Sequence, residues 1–110
     1  MDRVFHALAD STRRDIIGRV LRAEQSVSEL ARRYEMSFAA VQKHVAVLER
    51  AALVRKQRRG REQIVHGNAD TLRKAARLLD RYEQLWRHRA QAISDILSED
   101  SGKSEKRTDK

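Results

Sequence analysis

Residues 26–50 read SVSELARRYEMSFAAVQKHVAVLER, and the way this stretch breaks into two helices decides the fold. Ser26 and Glu29 have the spacing of a capping box: the serine accepts from the backbone at the helix start, and the glutamate reaches back to the serine's own N–H. Val27, Leu30, Ala31 and Tyr34 give this helix one apolar side. Ser37 is a second good N-cap a few residues on, so Glu35 and Met36 leave room only for a tight turn. Two helices joined this closely cross at a steep angle.

The second of these helices is expected from about Phe38 to Ala52. Val41, Val45, Leu48 and Ala52 fall at i, i+4, i+7 and i+11, a single apolar stripe. At about 100° per residue, Ala39, Lys43, Ala46 and Arg50 stand opposite it, flanked by Ala40 and Val47 on one side and Gln42 on the other. A purely solvated face is normally richer in charge. Small residues with Gln42 and Lys43 make a face that another molecule can approach closely.

The period then changes. Leu53-Val54 and Ile64-Val65 read as two strands around RKQRRGREQ, residues 55–63, with Gly60 where a hairpin turn needs positive φ. Gly67-Asn68 ends the second strand. In the other direction, Val4, Phe5 and Leu8 mark a short helix over residues 1–9. Asp10 or Ser11 caps the next one, whose face is Ile16, Ile17, Val20 and Leu21. Gly18 inside that helix suggests close packing.

A last helix is expected from about Thr71 to Leu97, roughly twice the ordinary length. Leu72, Ala75, Ala76, Leu79, Tyr82, Leu85, Trp86, Ile93, Ile96 and Leu97 recur along it at three- and four-residue steps. A domain this small cannot cover so long a stripe alone, so a second copy is expected against it. The expected division is one domain over residues 1–98 and a polar, disordered tail over 99–110.

Composition narrows the class. The chain has 110 residues, no proline and four glycines. Lys and Arg number 24 against 16 Asp and Glu, a formal charge of +8, which points to a polyanionic partner, nucleic acid first. With no cysteine, disulfides and thiolate metal sites are excluded. No apolar run approaches the roughly 20 residues that span a bilayer, and no secretion signal opens the chain. A soluble, cytoplasmic protein is expected, with no membrane partner.

Helix, helix, steep turn, thin-faced helix and basic hairpin is the order of a winged helix-turn-helix, mainly α with a small β-hairpin. The major groove of B-DNA admits one helix if its leading face is not bulky. The preceding helix crosses the backbone and offers Arg32 and Arg33 to phosphates, while the hairpin lies beside as a wing. FHALADSTRRDII (5–17), SVSELARRYEMSFAAVQKHVAVLERAALV (26–54), RRGREQIVH (58–66) and LDRYEQLWRHRAQAISDIL (79–97) together resemble the ArsR-type bacterial repressors.

That resemblance implies a homodimeric repressor on an inverted-repeat operator, often in its own promoter, joined through its first and last helices. The residues implied at the dimer interface are Val4, Phe5, Leu8, Leu79, Tyr82, Trp86, Ile93 and Leu97. The residues implied on double-stranded DNA are Ser37, Ala39, Ala40, Gln42, Lys43 and His44 of the reading helix, with Arg58, Arg59 and Arg61 of the wing. Gln42 stands where many relatives have serine, so no operator sequence carries over. The family's metal sensors use a cysteine pair in the helix that here reads SELARRYEMS, and His88 has no second ligand at tetrahedral-site spacing. No metal and no cofactor is therefore expected. For an inducer two alternatives stay open, an organic ligand between the dimer helices or none.

Three other classes fit the residues less well. An enzyme lacks support: there is no nucleophile-base pair, no paired acids and no glycine-rich phosphate loop. A helical interaction module would use the basic charge only for solubility, and would bind no DNA in a salt-sensitive way. RNA binding usually brings exposed aromatics, whereas Phe5, Tyr34, Phe38, Tyr82 and Trp86 all fit helix-packing faces.

Overall fold

The computed structural model describes residues 1–102. Five helices and three strands follow in the order α1 (Asp2–Leu8), α2 (Ser11–Arg22), β1 (Gln25–Ser26), α3 (Val27–Ala31), α4 (Phe38–Arg50), β2 (Val54–Arg59), β3 (Glu62–Gly67) and α5 (Ala69–Gly102). The chain divides into two compact units at Ala75–Ala76, with α5 running through the boundary.

In the first unit, α2, α3 and α4 each start with a side-chain cap, whereas α1 starts at Met1 without one. Asp10 accepts from the Arg13 backbone N–H at 3.0 Å, so Asp10 rather than Ser11 is the cap of α2. Ser26 and Glu29 form the reciprocal pair, at 3.0 Å and 2.8 Å. Ser37 accepts from Ala40 N at 3.0 Å and starts α4. Each such cap stabilises its helix by about 1 kcal/mol, and the last two fix the break between α3 and α4. The core of this unit joins Ile16, Ile17 and Val20 of α2 to Leu30 of α3, Val41, Val45 and Leu48 of α4, Leu53 just before β2, and Val54 and Val65 of the sheet.

The hairpin is antiparallel, with Arg59 opposite Glu62 at its end and Gly60 at φ +65° in the turn. A third strand, β1, extends it: Gln25 pairs with Val65 and Ser26 with Ile64, giving the order β1-β3-β2. The sequence gives no sign of this two-residue strand, because its partner lies far along the chain.

Four local expectations are corrected. First, α4 stops at Arg50, and Ala52 is an exposed residue at φ +60°. Leu53 N donates to Leu48 O at 3.0 Å and Ala52 N to Glu49 O at 2.9 Å, the two bonds of a Schellman cap. Ala51 and Leu53, not Ala52, therefore enter the core. Second, a Cβ at Gly18 would touch only Arg22, at an ordinary 3.7 Å; the close approach is instead at Gly67, where it would lie 2.7 Å from Leu21 Cδ2. Third, Phe38 is 46% exposed rather than packed. Fourth, α5 begins at Ala69 and continues to Gly102, so the first residues of the expected tail are helical. The rest of that tail, residues 103–110, lies outside the described residues.

In the second unit, from Ala76 onward, α5 has exposed Leu79, Tyr82, Leu85, Trp86, Ile93, Ile96 and Leu97, each between 45% and 67% accessible. Asp80, Glu83 and Asp95 bond to Gln84, Arg87 and Gln91 one turn away, which supports the helix locally. Among the described residues, no helix is long and apolar enough to cross a membrane.

Candidate nucleic-acid interface

Val41, Val45 and Leu48 point α4 into the core, and this orientation turns Ala39, Gln42 and Lys43 outward. Ser37 is exposed and Ala40 half-buried beside them. Among the described residues neither Gln42 nor Lys43 has a partner, so both keep their full hydrogen-bonding capacity. Gln42 carries the donor and acceptor that match an adenine edge, and the methyl groups of Ala39 and Ala40 suit a thymine methyl. Phe38 joins them as an exposed apolar residue at the head of α4. The sequence alone assigned it to packing, since an aromatic ring one residue beyond a cap fits either role.

Arg32 and Arg33 follow α3 directly, exposed and without side-chain partners. They stand in the turn that leads into α4.

The wing arginines are not equivalent. Arg61 is exposed and unpaired. Arg58 turns its Nε onto Gly60 O at 3.1 Å. Arg59 is held by Glu24, with Nη1 at 2.6 Å from Oε2. Pairing explains why: strand register puts Arg59, Gln57 and Arg55 on the face they share with His66, beside β1. His66 Nδ1 lies 3.4 Å from the other oxygen of Glu24, and its Nε2 lies 3.0 Å from Gln57 Oε1. The Arg59 guanidinium holds the Glu24 carboxyl below the usual carboxylate range, so the pair is ionised at neutral pH. On the opposite face Lys56 Nζ lies 3.4 Å from Glu49 at the end of α4.

His44, half-buried on α4, is engaged on one side. Its Nδ1 is 3.3 Å from Arg13 Nη1 and 3.9 Å from Asp10 Oδ2, and the side chain is 21% exposed. One edge of the ring thus faces α2 rather than open solvent.

A family model described as a helix-turn-helix domain matches residues 8–57. Rv2034 of Mycobacterium tuberculosis, an HTH-type transcriptional regulator, is 47% identical over 53 residues, which cover 48% of this chain and 50% of that protein. The chain thus spans half the length of this relative. YuzN of Bacillus subtilis, an uncharacterized HTH-type transcriptional regulator, is 38% identical over 79 residues, covering 66% of this chain and 86% of YuzN. An ArsR-like transcriptional regulator from Rhodococcus sp. RHA1 superposes with a TM-score of 0.76 at 39% identity, covering 86% of this chain and 90% of the other. This chain belongs to the ArsR family.

In this ArsR-family regulator the residues assigned to a dimer interface fall into two groups. Val4 is buried in the core of its own unit, and Phe5 and Leu8 pack against that core half-buried. Val4 thus packs inside its own unit and exposes little surface. Leu79, Tyr82, Trp86, Ile93 and Leu97 belong instead to the exposed stripe of α5, together with Leu85 and Ile96. The chain has no cysteine, and among the described residues no three His, Asp or Glu side chains come together in a way that could hold a metal ion.

Proposed function

We propose that two copies of this ArsR-family regulator bind an inverted-repeat operator and repress transcription from it, with α4 of each copy in the major groove and each wing on the flanking backbone. The observation that carries this reading is the leading face of α4, where Gln42 and Lys43 stand unpaired among small residues. The +8 charge supplies the sequence-independent attraction. Ser37, Ala39, Ala40, Gln42 and Lys43 read base edges, while Arg32, Arg33, Arg58 and Arg61 meet phosphates. Arg59 reaches the DNA only by exchanging Glu24 for a phosphate.

Dimerisation through α5 follows from its exposed stripe, since contiguous apolar surface on this scale marks an interaction site. Placement in the cytoplasm agrees with DNA binding. For an inducer the alternatives are an organic ligand between the dimer helices or none.

The test is footprinting on the DNA upstream of its own coding sequence, with a titration of Gln42→Ala on the protected site. A symmetric footprint with half-sites one helical turn apart is expected, about 34–36 Å. Gln42→Ala should lose about 1–3 kcal/mol on that site and relax the preference at one base pair per half. Equal affinity of the parent protein for every duplex would refute the reading.

A further inference from the structure

Arg13 lies outside every residue set assigned to DNA, yet it contacts three elements. Its Nε donates to Ala7 O at 2.8 Å and its Nη2 to His6 O at 3.1 Å, closing the carbonyl end of α1. Its backbone N–H donates to the Asp10 cap of α2. The remaining nitrogen, Nη1, meets His44 Nδ1 of α4 at 3.3 Å.

The chemistry of this last contact is one-directional. A guanidinium carries donors only and stays protonated, so Nδ1 must present its lone pair. In that arrangement the ring proton sits on Nε2. The competing arrangement, Nδ1–H donating to Asp10, would have to span 3.9 Å, beyond hydrogen-bond reach. Which nitrogen of a histidine is protonated is set by the bond that the other one makes. Among the described residues Nε2 has no partner. His44 lies one turn after Ala40, hence on the margin of the reading face.

We propose that Arg13 is a positioning residue that locks His44 as the Nε2–H tautomer and so makes it a hydrogen-bond donor to the DNA under α4. The inference rests on the regulator reading above. The acceptor is an oxygen or nitrogen of the duplex, either a phosphate oxygen or the N7/O6 edge of a purine. Because the same guanidinium grips the end of α1, the donor is registered against α1 and α2 together rather than left to the rotamer preferences of an exposed ring. This differs from the roles of Gln42 and Lys43, which have no such support.

The experiment has a spectroscopic arm and a binding arm, both on the full chain. In the long-range ¹H–¹⁵N correlation spectrum of the histidine rings at neutral pH, His44 should show an unprotonated Nδ1 and a protonated Nε2. In Arg13→Met, which keeps the stem and removes the donors, Nδ1–H signal should appear as the ring turns to Asp10. A protonated Nδ1 in the parent, or an unchanged spectrum in Arg13→Met, overturns the proposal.

For binding, the probes are a duplex selected by the parent protein from a random pool and a scrambled duplex. His44→Asn, whose amide mimics a donor at Nδ1, should lose about tenfold, the equivalent of one hydrogen bond. His44→Gln, whose amide reaches towards the Nε2 position, should recover most of that loss. A loss on both duplexes identifies a phosphate, and a loss on the selected one alone identifies a base edge. If His44→Asn binds as tightly as the parent, the donor role is wrong, and this holds even if Arg13→Met fails to fold. Failure of the regulator reading shows itself separately, as a parent protein that selects no duplex before any variant is made.

Discussion

Ala52 is the joint between the reading helix and the wing, and replacing it by glycine should stabilise the protein. It occupies the left-handed region at φ +60°, the position that closes a Schellman cap. The cap is complete: both backbone bonds are present, and Leu48 and Leu53, which flank it, are each fully buried. An L-residue in that region costs roughly 1–2 kcal/mol through the clash of its Cβ with the following carbonyl. Glycine removes the clash but loses about 0.5–1 kcal/mol more backbone entropy on folding. The net gain expected for Ala52→Gly is therefore about 0.5–1 kcal/mol, or about 2–8 °C in Tm for a domain of this size. Urea denaturation at fixed protomer concentration is the assay, because any dimer makes stability depend on concentration. Ala52 is exposed, so no packing is lost to confuse the result. Ala52→Val provides the opposite arm and should destabilise, since a β-branched residue tolerates positive φ worst. A neutral or destabilised Ala52→Gly with unchanged urea slope would refute the cap, and with it the point at which α4 hands over to β2.

Two further outcomes are expected. Gly67→Ala would put a Cβ 2.7 Å from Leu21 Cδ2 and 3.3 Å from Leu21 Cα, so it should destabilise by about 1–3 kcal/mol through overpacking. Leu21→Ala in the same chain should restore part of the loss in a double-mutant cycle. Asp15 accepts from Tyr34 Oη at 2.5 Å and from Arg19 Nε at 2.8 Å, and these bonds, the tyrosine's first, lower its pKa. A carboxyl lowered on folding adds stability that is present above the unfolded pKa and lost as pH falls through the folded one. Acid titration of stability should thus be flatter below pH 4 in Asp15→Asn than in the parent, by a small amount because the side chain is 48% exposed. An identical acid limb in the two proteins would show that the Tyr34 and Arg19 bonds do not persist in solution.

The parts of this fold that are legible in the sequence are those decided within one helical turn. Ser26 with Glu29, Ser37 with Ala40, and Gly60 in its hairpin each have both partners within a few residues, so spacing alone identifies them. The Ala52 cap is equally local but escapes notice, because glycine is the residue that announces a left-handed position and alanine is not. Strand β1 and the Arg13–His44 contact are illegible for the opposite reason: their partners are brought together only by the folded chain.

The wing shows why this matters for function. Read as sequence, five of the seven residues 55–61 are interchangeable cations. Folded, Glu49 holds Lys56, Glu24 holds Arg59, and Arg55 and Arg61 stand free. Both ion pairs are exposed, and such pairs are worth only about 0–1 kcal/mol, so a phosphate can displace either acid. Their effect is therefore to aim the side chains rather than to neutralise them. Counted as charge the wing is uniformly basic, but as geometry it offers two free arginines first, a third (Arg58) turned onto Gly60 O, and two cations tethered to acids that are released only on contact. Removing Arg61 should accordingly cost more of the salt dependence of DNA binding than removing Arg59, whose loss also frees the carboxylate of Glu24.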